Sequence, residues 1–160
     1  GLPTFRLALD RIDMGIHQAQ RSGKKLALLF LDLDEFKAVN DTWGHEAGDH
    51  ILQVAALQML TVVRAGDTVS RLGGDEFIIL LCDIESQEDV EAVCKRLLEV
   101  ISQEFAYNDA LIRVGVSIGV ALYPDHGGDG HALRRVADAA MYEAKSKGKN
   151  SYHFAKAPLV

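Results

Sequence analysis

Four carboxylates in two short stretches could act together on one substrate. Asp32 and Asp34 follow the apolar run LALLFL, and Asp75 and Glu76 precede the apolar run FIILLC. If both runs are buried strands lying antiparallel side by side, the end of the first meets the start of the second. Acids more than forty residues apart then converge on one sheet edge. Carboxylates that close raise each other's pKa unless a cation stands between them. No His or Cys is placed to join them, so the donors are oxygens only, which suits a hard divalent ion, Mg²⁺ or Mn²⁺. Gly73 and Gly74 stand just before Asp75. They permit positive φ and leave room for a bulky ligand against the backbone. Phosphate is the natural guest of main-chain amides beside a metal ion. On residue type alone, the same stretch also reads as a solvated hairpin tip and each acid as a strand-end cap.

These residues need elements to hold them. Phe5, Ala8, Leu9, Ile12, Ile16 and Ala19 fall at helical spacing and predict a helix over 5–20. The run ending at Asp32 predicts a central strand buried on both faces. Residues 34–49, DEFKAVNDTWGHEAGD, read as a polar segment with turn residues at both ends; a long helix is expected from about Asp49 to Val63, closed by RAGD. A short strand from Thr68 to Leu72 enters the glycine turn, and FIILLC returns as its buried partner. Val90, Val93, Cys94, Leu97, Leu98 and Ile101 share one face of a helix over 87–105. LIRVGVSIGVALY reads as strand, bend, strand around Gly115 and Gly119, and YPDHGGDG as a loop. Leu133, Val136, Ala137, Ala140, Met141 and Ala144 mark a last helix ending at SKGKN with Gly148 as its cap, before a short edge strand at YHF. The class is α+β. After the first helix the order is βαββαβ, a ferredoxin-like or palm sheet with flanking helices expected on one face, plus extra β elements. A doubly wound parallel sheet is the alternative, and the glycine hairpin argues against it.

The 160 residues suit a single domain over 1–160, and 48% hydrophobic with 25% charged residues is ordinary for a globular protein. A formal net charge of −6 argues against a general nucleic-acid binder, which carries a basic face. Cys82 and Cys94 fit no metal-ligand spacing and read as small core residues in a reducing cytosol. No run approaches the ~20 apolar residues that span a bilayer. The abrupt start at Gly1 reads as a cut from a longer chain whose sensing or anchoring part lies upstream.

RLGGDEF at 71–77 resembles the motif of the GGDEF domain, the diguanylate cyclase family. GLP at the start, DLDEFKAVNDTWGHEAGD, VSIGVALYP and ADAAMYEAKSKGKN resemble that family's other signatures, in order and over essentially the whole chain. The resemblance implies condensation of two GTP molecules into cyclic di-GMP with release of two pyrophosphates, on the palm-like sheet shared with nucleotide cyclases and polymerases. It implies two Mg²⁺ (or Mn²⁺) ions per active site, held by Asp32, the backbone carbonyl of Leu33 and Asp75. Asp75 and Glu76 become the catalytic carboxylates, with Glu76 activating the attacking 3′-hydroxyl.

Substrate positions carry over in the same way. Asn40 and Asp49 match the guanine contacts, Leu2 and Phe36 the base-pocket lining, Lys37 a phosphate-side lysine, and Lys145 and Lys149 the pair that grips the terminal phosphates. Gly73 and Gly74 become room for the nucleotide. The chemistry agrees: a carboxylate accepts from guanine N1–H and the exocyclic amine, a donor pair that adenine lacks. Lysines at i and i+4 share a helical face and offer two charges to one anion. By residue type alone, Asn40 and Asp49 also read as caps and the two lysines as a solvated helix end. Arg64 and Asp67 form an RxxD with five residues before Gly73, matching the inhibitory site where cyclic di-GMP binds. The implied partners are GTP, cyclic di-GMP as product and inhibitor, a second copy of the domain (each subunit holding one GTP) and an upstream sensory or regulatory domain. No nucleic acid and no membrane contact by this domain are expected, and the location is cytoplasmic even within a membrane-anchored parent. The alternative is a catalytically weak module that binds GTP or cyclic di-GMP and regulates an attached domain. The chain departs from the family's GLPNR opening, with Thr4 and Phe5 replacing a polar-basic pair.

Overall fold

A strand that is apolar on both faces must be covered on both sides, and the central strand of this chain is one. The computed structural model describes residues 1–157. Along the chain run α1 (Phe5–Ser22), β1 (Lys25–Leu33), α2 (Phe36–Trp43), α3 (His45–Val62), β2 (Thr68–Gly73), β3 (Glu76–Ile84), α4 (Gln87–Ile101), β4 (Phe105–Tyr107), β5 (Ala110–Ile112), β6 (Val116–Tyr123), α5 (Gly130–Ser146) and β7 (Ser151–Phe154). The main sheet has the order β2-β3-β1-β6-β7. Neighbours are antiparallel except β6 and β7, which run parallel. The first four strands of that order form the expected βαββαβ sheet, and the YHF segment adds its edge as β7.

The helices do not lie on one face. Leu29, Leu31, Phe77, Ile79 and Ile118 pack with residues of α3 and α4, while Leu28, Phe30, Ile78, Leu80 and Ala121 pack with residues of α1 and α5. Successive strand residues alternate faces, and here both alternating sets are apolar, so neither face can be left to water. Two core layers result.

Three local readings are corrected. The polar segment holds a helix of its own, α2, and α3 starts at His45, earlier than Asp49. Gly44, at φ 91°, is both the C-cap of α2 and the N-cap of α3. Neither helix start carries a side-chain capping bond, so the usual start signal is missing. The fourth helix stops at Ile101, and Phe105–Tyr107 turns through Asn108 and Asp109, both at positive φ, into β5. Thr4, one of the two unusual opening residues, caps α1 by accepting from Leu7 N at 3.2 Å, and Phe5 packs on the α1/α5 layer.

α5 sits directly on β6 because Gly119 has no side chain. A Cβ there would overlap the Ala137 carbonyl oxygen and the Met141 amide nitrogen, both backbone atoms that cannot turn aside. Replacing Gly119 with alanine is expected to lift α5 and lower stability by about 1–3 kcal/mol, read as a lower midpoint in urea unfolding.

Candidate active site

Strand register brings the acids together. Asp32 stands opposite Glu76 in the β1–β3 pair, and Leu33 N donates to Asp75 O at 3.2 Å. Directly opposed residues share a face, so Asp32 and Glu76 both lie on the α5 side. A residue's N–H and C=O leave a strand on the same edge, which turns the Leu33 carbonyl toward Asp75 as well. The β2–β3 turn that presents Asp75 has Gly73 at φ 153° and Gly74 at φ 52°, values that favour glycine.

Asp32, in β1, and Asp34, just beyond its end, have different surroundings. Asp34 is buried and saturated: Ser117 Oγ donates to its Oδ1 at 2.6 Å, Asn150 N to its Oδ2 at 2.8 Å, and Lys145 Nζ lies 3.3 Å from Oδ1. It ties β1, β6 and the end of α5 together. Asp32 Oδ1 is buried and accepts no hydrogen bond. Lys145 Nζ stands 3.3 Å from it as an ion pair, outside hydrogen-bond geometry. Burial, then the neighbouring Asp75 carboxylate, push Asp32 up to about 7, with Lys145 pulling the other way. Burial, then Asp138, then Asp75 raise Glu76 above the usual carboxylate range, again against Lys145.

This arrangement fits a hard divalent ion. Among the described residues no three His, Cys, Asp or Glu side chains form a metal cage. Two carboxylates and a carbonyl at an open edge are what Mg²⁺ uses when water and substrate phosphates complete its shell. A buried carboxylate oxygen without a donor is an acceptor that a cation would satisfy.

The lysines are both in ion pairs, but not as neighbours on a helix. α5 ends at Ser146, and its last turn closes with Lys149 N donating to Ala144 O at 3.0 Å around Gly148 at φ 117°, the expected glycine cap. Lys149 therefore lies beyond the helix at φ 64°, its Nζ 3.2 Å from Glu35 Oε1. The shared helical face expected of Lys145 and Lys149 is corrected: the cap redirects the chain between them. Lys37 is exposed on α2.

The residues expected on the base side lie around the α2–α3 corner. Phe36 and Leu2 are half-buried and pack on the α3 side of the core. Asn40 Oδ1 is buried without a donor. Asp49 is exposed and lines a groove of about 280 Å³ with Arg71 and Phe77. Arg71 and Asp138 have roles that no motif in the sequence indicates. Arg71 Nε donates to Gly74 O at 2.9 Å and braces the glycine turn. Asp138, seven residues before Lys145 and hence on its helical face, acts electrostatically on Glu76. That i, i+7 spacing was the available signal.

The RxxD closes on itself. Asp67, its side chain 4% exposed, accepts from Arg64 N at 2.9 Å and from Cys82 N at 3.1 Å. Arg64 is exposed and donates to Cys82 O at 2.5 Å. Asp67 holds the loop, and Arg64 is the member presented outward.

A family model, "Diguanylate cyclase, GGDEF domain", matches residues 1–151. The chain is 46% identical over 155 residues to the bifunctional diguanylate cyclase/cyclic di-GMP phosphodiesterase MucR of Pseudomonas aeruginosa, covering 96% of this chain and 22% of that protein. It is 38% identical over 152 residues to the cyclic di-GMP phosphodiesterase PdeR of Escherichia coli, covering 95% and 22%. The crystal structure of the GGDEF domain of TpbB from Pseudomonas aeruginosa superposes with a TM-score of 0.95 at 34% identity, covering 99% of each chain. The chain thus spans about a fifth of the length of these curated relatives.

A carboxyl whose folded pKa is raised contributes stability at low pH and loses it as pH climbs through the folded value. The metal-free protein should therefore lose melting temperature between about pH 4 and pH 7 on account of Asp32, raised to about 7. Asp32→Asn should flatten that loss. Mg²⁺ takes the ionised form, so its stabilising effect in thermal melts should be larger at pH 8 than at pH 5.5. Equal Mg²⁺ effects at the two pH values would contradict the site.

Proposed function

This chain belongs to the GGDEF domain family of diguanylate cyclases, and on that footing we propose that it condenses two GTP molecules into cyclic di-GMP and two pyrophosphates. The catalytic unit is a homodimer in which each subunit holds one GTP. The observation that carries this reading is the convergence of Asp32, Asp75 and Glu76 at the joined strand ends, with Asp32 Oδ1 buried and accepting no hydrogen bond. Two Mg²⁺ (or Mn²⁺) ions held by Asp32, the Leu33 carbonyl and Asp75 would supply charge neutralisation on the triphosphate and the leaving pyrophosphate.

The chain's own residues do the rest. Asp49 accepts from guanine N1–H and the exocyclic amine, Asn40 reads the remaining edge, and Leu2 and Phe36 flank the base. Gly73 and Gly74 let the nucleotide approach the backbone. Lys37 lies on the phosphate side, and Lys145 and Lys149 exchange their carboxylate partners for the terminal phosphates. Glu76, held above the ordinary carboxylate range, accepts the proton of the 3′-hydroxyl. That oxygen bonds to the α-phosphorus of the other subunit's GTP as the bond to pyrophosphate breaks. Product restrains the enzyme through Arg64, whose guanidinium can fork onto phosphate or a guanine edge, while Asp67 keeps the loop in shape.

One relative, PdeR, carries the name of a phosphodiesterase. That favours a second reading, a domain that binds GTP or cyclic di-GMP and regulates an attached unit.

Incubating the protein with GTP and Mg²⁺ and weighing the products separates the two. Cyclic di-GMP is expected; unchanged GTP at protein concentrations that populate dimers would select the second reading. Asp75→Ala should lower turnover by about three orders of magnitude or more. Arg64→Ala should leave initial turnover in place while relieving inhibition by added cyclic di-GMP, seen as progress curves that no longer flatten early.

A further inference from the structure

Gly48 and Asn40 face each other where α2 meets α3. Gly48 is buried inside α3, and its backbone is not left-handed, so neither a turn nor positive φ requires a glycine there. A Cβ at this position would overlap Asn40 Oδ1 and lie 2.9 Å from Asn40 Cγ and 3.1 Å from Phe36 Cζ. Asn40 Oδ1 is itself buried with no donor. One end of the carboxamide is therefore sunk in the hollow that Gly48 leaves, and it is seated there by shape rather than by a hydrogen bond.

We propose that Gly48 is the positioning residue for guanine selection: its missing side chain seats Asn40 with the carbonyl end inward and the NH₂ end free for the base. The inference rests on the reading of Asn40 and Asp49 as the guanine contacts. An NH₂ group donates to an acceptor on guanine and meets only an amino group at the corresponding position of adenine, so seating the amide this way round bears on which purine is taken. Any side chain at position 48 drives the carboxamide out of its seat and leaves the phosphate end of the site, on the other side of the strand ends, untouched.

The test is a cycle of four proteins, wild type, Asn40→Ala, Gly48→Ala and the double variant, titrated calorimetrically with GTP and Mg²⁺ and melted without ligand. Each single variant is expected to weaken GTP binding about tenfold, the scale of one lost hydrogen bond, and the double variant no further. Alanine favours a helix over glycine, and the melting temperature of Gly48→Ala is expected to hold or to recover fully when Asn40→Ala empties the hollow. If Asn40→Ala binds GTP as tightly as wild type, the guanine reading itself fails. If Asn40→Ala weakens binding but Gly48→Ala does not, or if Gly48→Ala weakens it further in the Asn40→Ala background, the positioning role is overturned. A melting loss in Gly48→Ala that Asn40→Ala does not relieve would assign the glycine to helix packing and also overturn it.

Discussion

The antiparallel register of β1 on β3 decides where every acid of this site stands. Asp32 lies opposite Glu76, and the Leu33 amide reaches the Asp75 carbonyl, because the apolar residues of both strands must alternate between two buried layers. A slip of one residue would turn each strand's two apolar sets onto the wrong layers and carry Asp32 to the α3 side. Core packing therefore enforces the site's geometry. The register does not depend on bonds among Asp32, Asp75 and Glu76 themselves, which leaves those acids available for a ligand.

The strand ends are held from the other side by one saturated carboxylate. Asp34 takes donors from Ser117, Asn150 and Lys145, which come from β6, the loop after α5 and α5 itself. Gly115 makes room for it, since a Cβ there would come within 2.8 Å of Asp34 Oδ2. With Asp34 fixed in this way, Lys145 is brought to 3.3 Å from Asp32. The metal-free site is then balanced internally: Lys145 answers Asp32 and Asp34, and Lys149 answers Glu35. On the proposed reading, cations and polyphosphate together would replace both sets of partners without leaving a buried charge unpaired, which is the costly outcome.

Much of this was legible in the chain. The apolar runs gave β1 and β3, the 3.6-residue spacing gave α1, α4 and α5, and the paired glycines gave the hairpin. α2 was not legible, because its start at Glu35 carries no capping bond and its end is a glycine shared with α3. The β4–β5 hairpin was hidden by strands of three residues, too short for alternation to show. The two covered faces could have been read from the strands, since apolar residues at both parities exclude water from both sides.

What the sequence determined by itself was residue type and local geometry: which segments extend or coil, where positive φ is tolerated, and which acids and lysines are available. Tertiary structure alone decided their use. Asp32 and Asp34 are the same residue type two positions apart at the end of one strand, and nothing local tells them apart. Ser117 and Asn150 donate to Asp34, Asp75 comes up against Asp32, and Lys145 stands 3.3 Å from each. The same holds for Lys145 and Lys149, which a four-residue spacing puts on one helical face until Gly148 ends the helix between them. A group's freedom to act depends on which neighbours satisfy it, and those neighbours come from distant parts of the chain.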